Sequence, residues 1–143
     1  MYEIYFEPTP FKQALSHFKR EAGKNLEALG LLLGEVRIHN GRKYVVVKEY
    51  VTAENHASSI SVRFTQNAFK ELSPKLSDKI IVGWIHSHPS YGCFLSSTDV
   101  RTQQAFFNED YNFAFVIDPV QNDYRAFRVK NGRYYEVSFA VID

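Results

Sequence analysis

The spacing of apolar residues predicts the first elements directly. Phe11, Ala14, Leu15, Phe18 and Ala22 recur at steps of three and four, while Lys12, Gln13, Ser16, Lys19 and Arg20 fill the gaps. That is an amphipathic helix, with Pro10 suited to its first turn and Gly23 near its end. Tyr2–Phe6, just before it, reads as a short strand. Leu26–Val36 is apolar almost throughout but broken by Gly30 and Gly34. It is too glycine-rich for a helix and predicts a strand buried on both faces. His39-Asn40-Gly41-Arg42 marks a hairpin turn into a strand over Lys43–Val51. Further along, Ser59–Thr65 reads as a strand, and Gln66–Leu76 as a second helix interrupted near Ser73-Pro74. Ile80–Ile85 is a buried strand and Ser97–Asn108 a third helix. Phe113–Ile117 is a strand that stops at Asp118-Pro119. Tyr124–Lys130 and Arg133–Val141 form a second hairpin around Asn131-Gly132. The sum is an α/β (α+β) fold of about eight strands and about three helices.

Size and charge narrow this picture. A chain of 143 residues suits a single domain, 1–143, with one sizeable core. A net charge of +1, with basic residues scattered singly or in pairs, gives no reason to expect nucleic acid or an anionic membrane as partner. No apolar run reaches the length of a membrane span. The start, MYEIYFEPTP, carries Glu3 and Glu7 and lacks the basic and apolar regions of a signal peptide. One cysteine cannot form an internal disulfide. A reducing, cytoplasmic setting is the expectation.

The chemistry concentrates in Gly83–Asp99, GWIHSHPSYGCFLSSTD. His86 and His88 are two apart, so on a strand both rings face the same side. Asp99 follows after a loop, in the first turn of the next helix. Two imidazoles and a carboxylate are suitable zinc ligands, and three protein ligands leave a fourth tetrahedral position open, the catalytic rather than the structural arrangement. Zinc lowers the pKa of water from 15.7 to about 7, and a carboxylate must then take the proton. Glu27, at the edge of the apolar run 28–34, either has that role or sits in a solvated turn. Ser96 begins a Ser-x-x-Asp capping pattern and reads either as a helix cap or as an oxyanion donor beside a metal. Cys93 gives a rival mechanism, a thiolate nucleophile beside histidine, against the plainer reading of a small residue packed under a loop.

The run His86-Ser87-His88-Pro89, seven residues ending in Ser96, two more and Asp99 resembles the JAMM motif of MPN-domain zinc metalloproteases. It is especially similar to the branches that act in the proteasome lid and the signalosome, where a Gly-Trp also precedes the motif and a Gly-Cys lies within its loop. The likeness extends upstream to LEALGLLLGE and downstream to FAFVIDP. It implies an MPN/JAB-like, cytidine-deaminase-like mixed sheet. It also implies one catalytic zinc per chain on His86, His88 and Asp99, Glu27 as general acid/base and Ser96 as stabiliser of the tetrahedral intermediate. The implied reaction is hydrolysis after the C-terminal glycine of ubiquitin or a ubiquitin-like protein, as deconjugation or precursor processing. The substrate tail is expected along loop 89–95 and segment 55–65 as an added strand. About five residues, Asn108–Asn112, join the last helix to its strand, too few for the insertion with which some members grip a second ubiquitin. That argues against linkage-selective chain cleavage, and a stand-alone enzyme, or one with a small protein partner or as a homodimer, is the expectation. A cysteine hydrolase using Cys93 and a non-catalytic MPN interaction module are the alternatives.

Overall fold

The computed structural model describes residues 1–24, 28–52 and 79–142. Glu27, the strand expected over 59–65, the helix expected over 66–76 and the tail-binding segment 55–65 lie outside the described residues. Within them, the elements run β1 (Ile4–Phe6), α1 (Pro8–Gly23), β2 (Leu29–His39), β3 (Arg42–Thr52), β4 (Ile80–Ser87), α2 (Ser97–Phe106), β5 (Phe113–Asp118), β6 (Asp123–Lys130), β7 (Arg133–Val137) and β8 (Phe139–Val141). The strands form one mixed sheet in the order β7-β6-β5-β4-β2-β3-β1-β8. β4 runs parallel to β5, and β1 runs parallel to both β3 and β8.

Both Asn-Gly hairpins form as their sequences require. Asn40 and Gly41 have φ of 51° and 76°, and Asn131 and Gly132 have 54° and 74°. Two successive left-handed residues match the twist of the flanking strands. His39 then pairs with Arg42 and Lys130 with Arg133.

The strand expected over Arg133–Val141 is broken at Ser138. There the chain leaves β6 and joins β1: Ser138 O accepts from Ile4 N, and its hydroxyl accepts from Glu3 N. One continuous stretch thus lines both outer edges of the sheet and brings it close to a closed barrel. Sequence periodicity could not show this, because the alternation continues across the break.

The uninterrupted apolar runs are explained by two cores, one on each face. Leu32 of β2, Phe113, Phe115 and Ile117 of β5, and Ala14 and Phe18 of α1 share the first. Leu29, Leu31 and Leu33 of β2, Ala114 and Val116 of β5, and Phe107, just after α2, share the second. A strand buried on both sides needs apolar residues at every position, not every other one. Gly34 marks where backbones come too close for any side chain: a Cβ there would stand 1.9 Å from Val46 O, beside the irregularity at Leu33/Gly34 in the β2–β3 ladder.

Candidate metal centre

β4 carries Trp84 and His86 on the face toward α2, two residues apart as strand geometry demands. His88 follows the strand's last residue, and its backbone N–H donates to Ile117 O of β5, so the pair stays beside the sheet. Ser87 points the other way and ties β4 to the start of β2. Its hydroxyl accepts from Ala28 N at 2.8 Å and its own N–H donates to Ala28 O. Leu29 is the register partner of His86.

Asp99 arrives from α2. Ser96 is the N-cap: its hydroxyl accepts from Asp99 N at 3.1 Å, and the Asp99 carboxylate accepts from Ser96 N at 2.9 Å. This reciprocal box fixes the carboxylate's direction. The same oxygen, Oδ2, lies 3.2 Å from His86 Nε2 and 3.5 Å from His88 Nε2. All three residues are buried. Among the described residues, Nδ1 of each ring has no hydrogen-bond partner, so the polar side of both imidazoles faces Asp99 alone. The cap and the metal-site readings of this stretch are therefore compatible. Ser96 caps α2 with a lone pair, which leaves its hydroxyl proton free to donate elsewhere.

The donor set fits a divalent ion. Ligands 2.0–2.1 Å from a tetrahedral zinc stand about 3.3 Å apart, close to the spacings seen here, and the three ligand atoms lie within 4.8 Å of one another. The protonation states fit as well. Burial pushes the His86 imidazole below its ordinary value, against the opposing pull of Asp99. For Asp99, burial favours the acid, but the two imidazoles and the Ser96 N–H outweigh it and hold the carboxyl well below the usual range. A neutral imidazole and an ionised carboxylate are what a metal ion needs.

Cys93 lies in a different chemical setting. Its thiol donates to Val116 O and Asp123 O, each at 3.3 Å. Burial, reinforced by the Asp123 carboxylate, pushes the thiol up to about 12. At neutral pH the residue is a thiol anchoring the loop, which removes the basis for the cysteine-hydrolase alternative. Alkylation by iodoacetamide at pH 7.5, followed by mass spectrometry, is expected to be far slower than for a free cysteine and to accelerate as pH rises toward 12.

Asp118 is a residue whose importance the sequence reading missed, taking Asp118-Pro119 only as a strand end. It is fully buried, and its carboxylate accepts from four backbone N–H groups. Those of Ser90 and Gly92 belong to the loop after the histidines; those of Val120 and Gln121 belong to its own turn. Gln121 also donates from its side chain to Ser90 O. Ser90 (φ 72°) and Gly92 (φ 83°) are both left-handed, a conformation that outside support must hold in a residue like serine. The signal was an acid directly after the fully apolar FAFVI, where a carboxylate needs partners.

Comparison with known proteins agrees with this geometry. A family model described as JAB1/Mov34/MPN/PAD-1 ubiquitin protease matches residues 1–112. The 26S proteasome non-ATPase regulatory subunit 14 of Dictyostelium discoideum is 37% identical over 126 residues, covering 83% of this chain and 39% of that protein. The ubiquitin carboxyl-terminal hydrolase RPN11 of Saccharomyces cerevisiae is 34% identical over 128 residues, with the same two coverages. The COP9 signalosome complex subunit 5 of Candida albicans is 35% identical over 114 residues, covering 71% of this chain and 18% of that protein. The chain thus spans about two fifths or less of the length of these curated relatives. A solution structure of a Desulfitobacterium hafniense protein superposes with a TM-score of 0.73 at 18% identity, over 98% of this chain and 93% of that one, which speaks to the fold alone. No helix among the described residues is long and apolar enough to cross a membrane. The family match covers more than half of the chain and contains both histidines, the cap and the aspartate, so the chain belongs to the JAB1/Mov34/MPN/PAD-1 family, in the branch that keeps the JAMM motif.

Proposed function

We propose that this chain is a zinc-dependent isopeptidase that hydrolyses the bond after the C-terminal glycine of ubiquitin or a ubiquitin-like protein. The observation that carries the reading is the convergence of His86 Nε2 and His88 Nε2 on Asp99 Oδ2, with all three residues buried. Among the described residues the ring nitrogens of the two histidines have no other partner, and their distances to Asp99 are close to those of a tetrahedral three-ligand site. Family membership and the names of its relatives support the substrate class.

His86, His88 and Asp99 would hold the ion. When bound, zinc with an open position supplies a Lewis acid and brings the pKa of water to about 7. Every other step belongs to side chains. Glu27 takes the proton from the attacking water and passes it to the departing amine, a lysine or a backbone nitrogen. Support for Glu27 comes from its neighbour: Ala28 is bonded both ways to Ser87, between the two histidines, so the chain enters β2 beside the site. Ser96, half-buried at the N-terminus of α2, donates a hydrogen bond from its hydroxyl to the oxygen of the tetrahedral intermediate. Tyr91 and Phe94 are exposed at 52% and 38% and lie against His88, where an extended glycine tail would pass. Burial around the ligands excludes bulk water and strengthens each of these interactions.

The reading is tested by incubating the protein with a panel of ubiquitin-like proteins carrying C-terminal extensions or isopeptide-linked lysines. Cleavage after the terminal glycine, abolished by chelation and by Glu27→Gln, is expected. Cleavage that survives chelation would refute it. Ser96 has a separate test. Glycine at an N-cap costs only a few tenths of a kcal/mol relative to serine, whereas losing an oxyanion donor lowers kcat by about 10²–10³. Ser96→Gly is expected to leave the melting temperature nearly unchanged and to reduce kcat by about that factor. An unchanged kcat would confine Ser96 to capping.

A further inference from the structure

A histidine that binds a metal is ordinarily oriented by its second ring nitrogen, which donates to a carboxylate, a carbonyl or water. His86 lacks that support among the described residues: Nδ1 is buried and has no hydrogen-bond partner. Its ring lies instead against Trp84, with centroids 4.5 Å apart and planes 11° apart. Phe107 lies nearly parallel to the same indole, at 5.7 Å and 6°. The indole is itself pinned. Its Nε1–H donates to Gln103 Oε1 of α2, and Gln103 Nε2 donates to Phe107 O. Gln103 is 3% exposed, and an amide is a costly filler for an apolar layer unless its partners are worth having. The arrangement links the ring plane of His86 to the helix that carries Asp99.

We propose that Trp84 is a positioning residue of the metal centre. Its stack, locked by Gln103, holds the His86 imidazole so that Nε2 aims at the Asp99 carboxylate, a role that no hydrogen bond at Nδ1 takes among the described residues. The proposal rests on the reading of His86, His88 and Asp99 as metal ligands. A second effect works in the same direction. A bound cation draws electron density from the imidazole, and an electron-poor ring is favoured over the face of an indole, the best of the aromatic faces for positive charge. Trp84 therefore prefers the loaded His86 to the empty one. Two substitutions separate the stacking face from bulk. Phenylalanine keeps a face without the N–H; leucine fills space without a face.

The test is a Co²⁺ titration of protein stripped with chelator, read by visible absorbance and by the emission of Trp84, the only tryptophan in the chain. Wild-type emission is expected to change saturably with one equivalent. Loss of an outer partner of a metal-bound histidine typically weakens binding about 10–100-fold. Trp84→Leu is expected in that range, and Trp84→Phe within about threefold of wild type. Circular dichroism and thermal unfolding of the metal-free proteins establish that each variant is folded. Should Trp84→Leu not fold, Gln103→Met, which keeps the indole but frees its N–H, takes its place with an expected weakening of about tenfold. Folded Trp84→Leu, or Gln103→Met in its stead, binding Co²⁺ as tightly as wild type would overturn the role of Trp84 and leave the metal centre standing. Wild-type protein that binds no Co²⁺ would overturn both.

Discussion

Asp99→Asn is expected to fold normally and to lose its metal. The substitution keeps size and shape. The asparagine oxygen can still accept from Ser96 N, and residue 99 N–H can still donate to the Ser96 hydroxyl, so both halves of the capping box persist. What disappears is the negative charge that faces His86 and His88 at 3.2 and 3.5 Å. Neutral amide oxygen suits hard ions such as calcium and is a poor third ligand for zinc. Metal analysis should therefore fall from about one ion per chain to below about a tenth. Cleavage of a ubiquitin-like fusion should fall by at least about a hundredfold, since even outer partners of ligands are worth 10–100-fold. Circular dichroism should be unchanged. Near-stoichiometric zinc in folded Asp99→Asn would remove Asp99 from the ligand set.

The second large effect is expected at Asp118. Alanine there leaves four backbone N–H groups without their acceptor, and hydrogen bonds to a charged group contribute about 1.5–3 kcal/mol each at most. The N–H groups of Ser90, Val120 and Gln121 lie near the surface and can turn to water, so a net loss of about 3 kcal/mol is expected. In a chain of this size that lowers the melting temperature by roughly 10 °C. Asp118→Asn, which keeps one acceptor oxygen, should fall between alanine and wild type. The pH dependence has a defined sign. Burial opposes the Asp118 charge, but the four N–H groups outweigh burial and lower its pKa in the folded state. Its contribution is thus complete above the unfolded value of about 3.9 and lost as pH falls through the folded value. The gap in denaturant midpoint between wild type and Asp118→Asn should be constant near neutrality and close below about pH 4. A gap that instead widened on acidification would contradict the assignment. The loop carries Tyr91 and follows His88 directly, so Asp118→Ala should also raise KM for a tailed substrate more than the modest stability loss explains.

The two effects differ in how visible they were beforehand. Asp99 was legible because spacing alone carries chemistry: histidines two apart on a strand share a face, and an acid three after a serine opens a helix. Both hairpins were legible because Asn-Gly encodes its own backbone angles, and α1 because a helix with one buried face repeats locally. The break at Ser138 and the near-closure of the sheet were not, since a strand that changes partners keeps its period of two. Asp118 was not, because its four partners come from two loops that meet only in the folded chain. Nor was the link Trp84–Gln103–Phe107, whose members are up to 23 positions apart and look in sequence like ordinary core residues around one glutamine.

By itself the sequence determined most of the described elements, the turn chemistry and the identity of the three candidate ligands, which follow from short-range spacing and residue type, and the resemblance of its motif pointed to the family. Tertiary structure alone decided that the Ser96 cap coexists with the approach of Asp99 to both histidines, and that Cys93 is an anchoring thiol pushed up to about 12. Among the described residues, it alone decided that aromatic neighbours, rather than hydrogen bonds at Nδ1, flank the two candidate ligand histidines. The physical reason is common to these cases. A side chain's protonation, partners and orientation depend on what is packed against it, and what is packed against it comes from distant parts of the chain.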